Sequence, residues 1–397
     1  MAWRSFGDEE LRNLAEVIER QELWRGPQGY FVRQFEEAFG PHLGRRHIHA
    51  VASGTAANEA ALAGVGVGPG DEVICPPCSF IASSMAAIGL GAIPVFADVD
   101  PRTLILTAEA LEAAITPRAK AVVVVHLWGQ PAEMAPILEV ARRHRLAVVE
   151  DCAQAYDARY RGQPVGTLGD VACFSLQQSK HITSGEGGIV ATDDPDIYRR
   201  AVLYANCGMP WFCYHLDPPV PEPVGDLLTR GHFAFGHNYR MTELQGAVAL
   251  AQLAKIATFN EQRRRIVAAL EDALAGVPGI ALAHRYPETE PNYWCYPLRV
   301  ESMTTGELDR LCRERHGAGV PRYAEVNYLE ALYQEMNARR ATSVGMPLPE
   351  YVRYELGICP HAEEGARHLI PVFTHHSVDP ATMAELGRTI RAGLASA

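Results

Sequence analysis

Residues 121–155 read AVVVVHLWGQPAEMAPILEVARRHRLAVVEDCAQA. A β-branched run (121–125) comes first, then a stretch of helical length and spacing (131–144), then a second β-branched run (146–150) that ends in Glu150 and Asp151. Strand, helix, strand within about 35 residues is the unit from which parallel sheets are built. The same alternation extends outward on both sides. Further strand-like runs are IHAVA (48–52), EVICP (72–76), IPVFA (93–97), VACFS (171–175) and GIVAT (188–192). Between the earlier runs lie TAANEAALAG, IASSMAAIGL and AEALEAAI, which have helix composition. The pattern predicts an α/β domain with a mostly parallel sheet of seven strands covered on both faces.

After residue 206 the pattern changes. Residues 207–235 carry Pro210, Pro218, Pro219, Pro221 and Pro223 among Trp211, Phe212 and Tyr214. A loop of this length within a compact domain is a functional or interface element, or else a poorly ordered insertion. Residues 241–274 read as one or two long helices leading into weaker strands and helices. We therefore expect a large domain over 1–255, with an N-terminal helical segment, and a smaller C-terminal α+β domain over 256–397.

Composition narrows the function. With 48% hydrophobic and 21% charged residues, the chain has the balance of a soluble globular protein. Its 36 Lys and Arg against 47 Asp and Glu give a net charge of −11, which disfavours nucleic acid or an anionic membrane as the main partner. Nine cysteines in no regular framework, behind a start with no signal-peptide pattern, point to free thiols in the cytoplasm. The pair in CPPC (75–78) has redox or zinc spacing but lacks a second pair, so buried or loop thiols are the simpler reading.

Two glycine-rich stretches compete for a phosphate, and polarity decides between them. GVGVGPGDEV (64–73) runs from a helix into a strand, and the dipole at a helix C-terminus repels anions, so it reads as a turn. VASGTAANEAAL (51–62) runs from a strand into a helix, whose first N–H groups are free to bind phosphate or to be capped by Ser53. Asp151, at the carboxyl end of a strand, sits where open α/β sheets place ligands. It could bind a metal, orient a base or hold a protonated heteroaromatic nitrogen, and no His/Asp cluster nearby supports a metal. Ser175 ends another strand, and Lys180 follows before the glycines of SLQQSKHITSGEGG (175–188). Taken singly, each of these has an ordinary structural explanation. Together, a phosphate-binding helix N-terminus, an acid for a pyridinium and an amine for an aldehyde are the three handles of pyridoxal phosphate.

The runs SGTAAN, PPCSFIASSMAAIGLGAIPVFADVDP, VVVVHLWGQPAEM, VEDCAQAYDARYRGQPVGTLGDVACFSLQQSKHITSGEGGIVATDD and GHNYRMTELQGAVALAQL resemble the DegT/DnrJ/EryC1/StrS sugar aminotransferases, strongly over residues 5–260 and in outline beyond. The resemblance implies the fold-type-I architecture of pyridoxal 5′-phosphate enzymes, with pyridoxamine 5′-phosphate as intermediate. It implies Lys180 as the Schiff-base lysine and Asp151 as the partner of the pyridine nitrogen. Gly54, Thr55, Ala56 and Ser175 would hold the phosphate. Phe80 would stack on one ring face, with Gln154 against the other or near the ring hydroxyl. Asn238 of GHNYRM would reach the phosphate of a partner subunit, which makes the protein a homodimer with shared sites.

The implied activity moves an amino group from glutamine or glutamate to a keto-cyclitol or keto-sugar in aminoglycoside or other antibiotic biosynthesis. The residues look most like those of enzymes that aminate scyllo-inosose or 2-deoxy-scyllo-inosose. The alternative is a nucleotide-linked keto-sugar, for which Lys120, Arg240 and Arg322 are the candidate diphosphate ligands. Related dehydratases replace the lysine with histidine, whereas here Lys180 stands in register and His181 is merely adjacent. A non-catalytic scaffold relative would be expected to lose a handle, and none is lost. His181 has no place in this scheme.

Overall fold

The computed structural model describes residues 5–26, 29–213, 216, 219–307, 309, 310 and 325–395. Tyr214, Pro218 and Arg322 lie outside them. All seven expected strands form: β1 (His47–Val51), β2 (Glu72–Cys75), β3 (Ile93–Phe96), β4 (Ala119–Val125), β5 (Ala147–Asp151), then, after the two-residue strands β6 (Arg159–Tyr160) and β7 (Gln163–Pro164), β8 (Val171–Ser175) and β9 (Gly188–Thr192). They make one sheet in the order β1-β9-β8-β5-β4-β2-β3. The pairs β2–β3, β2–β4, β4–β5 and β5–β8 are parallel. Strand β9 runs antiparallel to both neighbours.

Connection explains direction. Helices α3 (Gly54–Gly64), α4 (Ala82–Gly89), α5 (Ala108–Ala114) and α6 (Met134–His144) each lie between successive strands of β1 to β5, and a helical crossover returns the chain parallel. Only the loop 176–187 separates β8 from β9, so the chain turns back on itself.

The two faces follow from strand periodicity. Val171 and Cys173 of β8 join the core under α3 to α6, while Ala172 and Phe174 join the core on the opposite face. That second core is built with Val32, Phe35 and Phe39 of α2 (Phe31–Leu43) and Ala249 and Leu253 of α8 (Glu243–Leu253). The run 241–274 resolves into α8 and α9 (Ile256–Leu274). Beyond them, β12 (Cys295–Val300) pairs antiparallel with β10 (Ile280–Ala281) and β13 (Leu369–Phe373). Helix α9 and the C-terminal helix Pro380–Ala395 cover this small sheet around Ile266, Leu270, Tyr296, Leu298 and Met383. Residues 207–235 contain no helix and no extended strand among the described residues, and Val220, Val224, Leu227, Leu228, Phe233 and Phe235 are exposed.

Candidate active site

The carboxyl ends of β4, β5 and β8 meet the first turn of α3 in a cleft of about 790 Å³. Gly54, Thr55, Phe80, Asp151, Gln154, Ser175 and Lys180 all line it, although more than a hundred residues separate the first from the last. Ala56 and Asn238 do not. The Ala56 N–H is taken by Ser53 Oγ at 3.1 Å, a helix cap, and Asn238 pairs with Asn206 away from the cleft.

The α3 entry is held at close quarters. A Cβ on Gly54 would stand 2.8 Å from Cβ of Ser175, so only glycine lets the helix start lie against the end of β8. A Cβ on Gly188 would overlap the Ser53 carbonyl, so a glycine is required where β9 begins. The amides of Gly54 and Thr55, at the start of α3, have no partner within the helix, and both residues line the cleft, the arrangement that binds anions.

Asp151 is gripped by donors. Its Oδ2 accepts from Ser83 Oγ at 2.7 Å and Asn58 Nδ2 at 3.2 Å, and its Oδ1 accepts from Ala153 N at 3.0 Å. Ser83 and Asn58 also line the cleft. Gln154 accepts from the Trp128 amide through Oε1 at 2.8 Å. Phe80 is 63% exposed at the mouth, free to lie over a ligand.

Lys180 is partly buried, with Nζ 4.1 Å from the centroid of the Trp294 ring. Burial pushes its pKa down to about 8, against the opposing pull of Asp151, the Cys295 thiol and Glu186. Trp294 arrives through a turn at Trp128–Gly129: Trp294 N donates to Trp128 O at 2.9 Å and Asn292 N to Gly129 O at 3.0 Å. His181 points the other way. It is fully buried, Nε2 donates to Asn292 O at 2.9 Å, and burial holds its pKa well below the usual histidine range.

The residues present suit pyridoxal 5′-phosphate: a cradle that a Cβ would fill, a fixed carboxylate, and an amine whose charge is disfavoured. Asn58 Oδ1, buried beside that carboxylate, has no partner among the described residues. One cluster of metal-type donors is found among the described residues, His126, Glu150 and Cys152, and in it the His126 and Glu150 atoms are taken up by hydrogen bonds. Glu150 accepts from His126 Nε2 and from the amides of Gly166, Leu168 and Gly169, while His126 Nδ1 accepts from Ala132 N. Cys75 and Cys78 of CPPC are buried free thiols, and burial raises the pKa of both.

Lys120, at the amino end of β4, and Arg240, bonded to Asn206 Oδ1 at 2.9 Å, do not line the cleft. Glu186, Glu325 and Glu330 do, and Lys180 is the one cation among its described lining residues. The segment carrying Glu325 and Glu330 is tied to the CPPC loop by a Cys78–Val326 bridge and by Asn327 N donating to Pro77 O at 2.8 Å.

Comparison with known proteins gives the family. Residues 5–354 match the family described as DegT/DnrJ/EryC1/StrS aminotransferases. The chain is 40% identical to the GDP-perosamine synthase of Caulobacter vibrioides over 303 residues, 75% of this chain and 76% of that one. It is 37% identical to the L-glutamine:2-deoxy-scyllo-inosose aminotransferase of Micromonospora echinospora over 363 residues, 89% and 83% of the two chains. The solved structure of DesV from S. venezuelae is similar with a TM-score of 0.81 and 31% identity, covering 97% of this chain and 94% of that one. The chain belongs to the DegT/DnrJ/EryC1/StrS aminotransferase family, enzymes that depend on pyridoxal 5′-phosphate.

Proposed function

We propose that the protein carries an amino group from glutamine or glutamate to a free keto-cyclitol. The carrying observation is the charge of the cleft: four carboxylates, Asp151, Glu186, Glu325 and Glu330, and, apart from Lys180, no cation among the described lining residues. Carboxylates accept hydrogen bonds from the hydroxyls of a polyol and repel a diphosphate. A nucleotide-linked keto-sugar is the second reading, favoured by the likeness to a GDP-sugar enzyme.

In this reading Gly54, Thr55 and Ser175 would hold the cofactor's phosphate, and Asp151 would pair with the pyridine nitrogen, where its negative charge would favour the protonated form. Phe80 and Gln154, which line the cleft, would lie against the ring. The cofactor supplies an electron sink for the carbon that bears the migrating amine. Lys180 Nζ, a free amine in part at neutral pH, would move the proton from that carbon to the carbon that takes over the amine. Trp294 shields Nζ from water. The two half-reactions share one site, so ping-pong kinetics follows.

We also read the chain as two units, 1–255 and 256–397, supported by the separate apolar cluster of α9, β12 and the C-terminal helix. A homodimer is supported by the exposed apolar side chains between Val220 and Phe235 and by the position of Asn238 outside its own cleft. The free state of all eight described cysteines supports a cytoplasmic setting. No helix among the described residues is long and apolar enough to cross a membrane.

The deciding experiment is a single turnover of the pyridoxamine form against scyllo-inosose, 2-deoxy-scyllo-inosose and a set of nucleotide-linked keto-sugars. Reoxidation by the cyclitols alone is expected; reoxidation by the nucleotide sugars alone moves the assignment to the second reading. Lys180→Ala should abolish the visible band of the lysine-bound cofactor. A wild-type protein without such a band after incubation with pyridoxal 5′-phosphate refutes the enzyme reading.

A further inference from the structure

Arg263 of α9 is 1% exposed, with no carboxylate partner among the described residues. Its Nη1 donates to Thr374 O at 3.1 Å and its Nη2 to Lys180 O at 3.3 Å, while the buried Nε has no partner. The titratable groups in its field are His181, His375, His376 and Cys295. Burial holds all three histidines below their ordinary pKa and raises that of the thiol, so none offers a negative charge at neutral pH. Leaving a buried guanidinium uncompensated costs several kcal/mol, a cost that packing α9 against the small sheet does not require.

What the position does provide is a second cation beside Lys180. Two positive charges in one region of low dielectric repel, and the group that ionises less strongly gives up its proton. Arg263, though burial pushes it down to about 10, stays protonated at neutral pH, and its charge adds to the burial that brings Lys180 down to about 8. The other groups facing Lys180 act in the opposite sense: Asp151 from β5, Glu186 from the following loop and the Cys295 thiol from β12 favour the ammonium.

We propose that Arg263 is a positioning residue for Lys180: its guanidinium ties the Lys180 carbonyl to that of Thr374, and its unpaired charge favours the neutral amine at Nζ. The proposal rests on Lys180 being the cofactor-bearing residue, and its test needs no cofactor. In the full-length apoprotein, acetylation of Lys180 by acetic anhydride is followed against pH by peptide mass spectrometry.

The wild-type midpoint is expected near 8. In Arg263→Gln the midpoint rises by at least about 0.5 unit, leaving roughly threefold less free amine at neutral pH. Arg263→Lys keeps a cation without the two-carbonyl grip and stays within about half a unit of the wild type. A wild-type midpoint above about 10, the ordinary lysine range, overturns the proposal. So does an Arg263→Gln midpoint equal to that of the wild type in protein with an unchanged circular dichroism spectrum. Should Arg263→Gln not fold, Arg263→Lys decides, and a midpoint in the ordinary lysine range overturns the idea. Persistence of the visible band in Lys180→Ala would instead sink the reading of Lys180 and leave the titration of that amine intact.

Discussion

Asp151 works only if it cannot turn, and two side chains prevent it. Ser83 Oγ and Asn58 Nδ2 both end on Oδ2. A hydrogen bond to a charged acceptor contributes about 1.5–3 kcal/mol. Ser83→Ala should therefore weaken cofactor affinity at least about tenfold, measured by absorbance titration of the apoprotein, with little change in fold. An unchanged affinity would show that Asn58 suffices. Neither residue stands out in the sequence as a ligand of Asp151. Asn58 is one helical turn beyond Gly54, a spacing that puts both on the same side of α3, and this signal was available. Ser83 was one serine among several in CSFIASS, and only the approach of α4 to the end of β5 distinguishes it. His181 shows the reverse case. A histidine next to a catalytic lysine attracts a chemical reading, yet its one bond to Asn292 O and its burial make it a prop beneath the Lys180 loop.

At the scale of elements, the site depends on how closely the α3 entry, the end of β8 and the start of β9 approach. Gly54 and Gly188 are where a side chain would force them apart. Gly54→Ala is expected to cost about 1–3 kcal/mol of overpacking, and because the displaced atoms are the phosphate cradle, cofactor affinity should fall about 5- to 150-fold. Fluorescence titration of cofactor binding checks this; equal affinity would mean the cradle relaxes freely. All seven strands of the large sheet were legible, because β-branched runs between helix-length stretches have little other use. The direction of β9 was not assigned from sequence; it follows from the absence of a helix in 176–187. Trp294 was not legible either, since its place over Lys180 comes from backbone pairing with Trp128 and Gly129 across more than 160 residues. Gly129 has φ +96° and a Cβ there would overlap Asn292 O, so that turn is specific to glycine.

At the scale of the whole molecule, the Lys180 loop, α9 and the end of β13 meet in a seam that holds histidines without charge. His181 and His376 are 0% and 2% exposed, and His376 stacks on Phe259 at 3.9 Å. Burial holds His181 well below the usual range, His376 at about 3 and the less buried His375 at about 4. In the unfolded chain these groups protonate near pH 6.5; in the folded chain they do not. As pH falls below that value the unfolded state binds protons the native state refuses, and stability declines toward the folded pKa values. Each fully buried histidine contributes a slope of up to about 1.4 kcal/mol per pH unit. Two groups of side chains modify this. His42, raised by Asp157, adds stability in acid and partly offsets the loss. Carboxylates lowered in the fold, such as Glu36 and Glu150, are fully charged above the ordinary carboxylate range and weaken the protein only below about pH 4.5. The window between about pH 6.5 and 4.5 therefore belongs to the buried histidines: those of the seam, and His49 of β1, whose pKa burial also lowers. Urea midpoints measured at about pH 7.5, 6 and 5 should fall in that order, and His376→Phe, which keeps the stack on Phe259 and cannot take a proton, should flatten the decline. A midpoint constant across that range in the wild type would show that the seam admits water and lets its histidines charge.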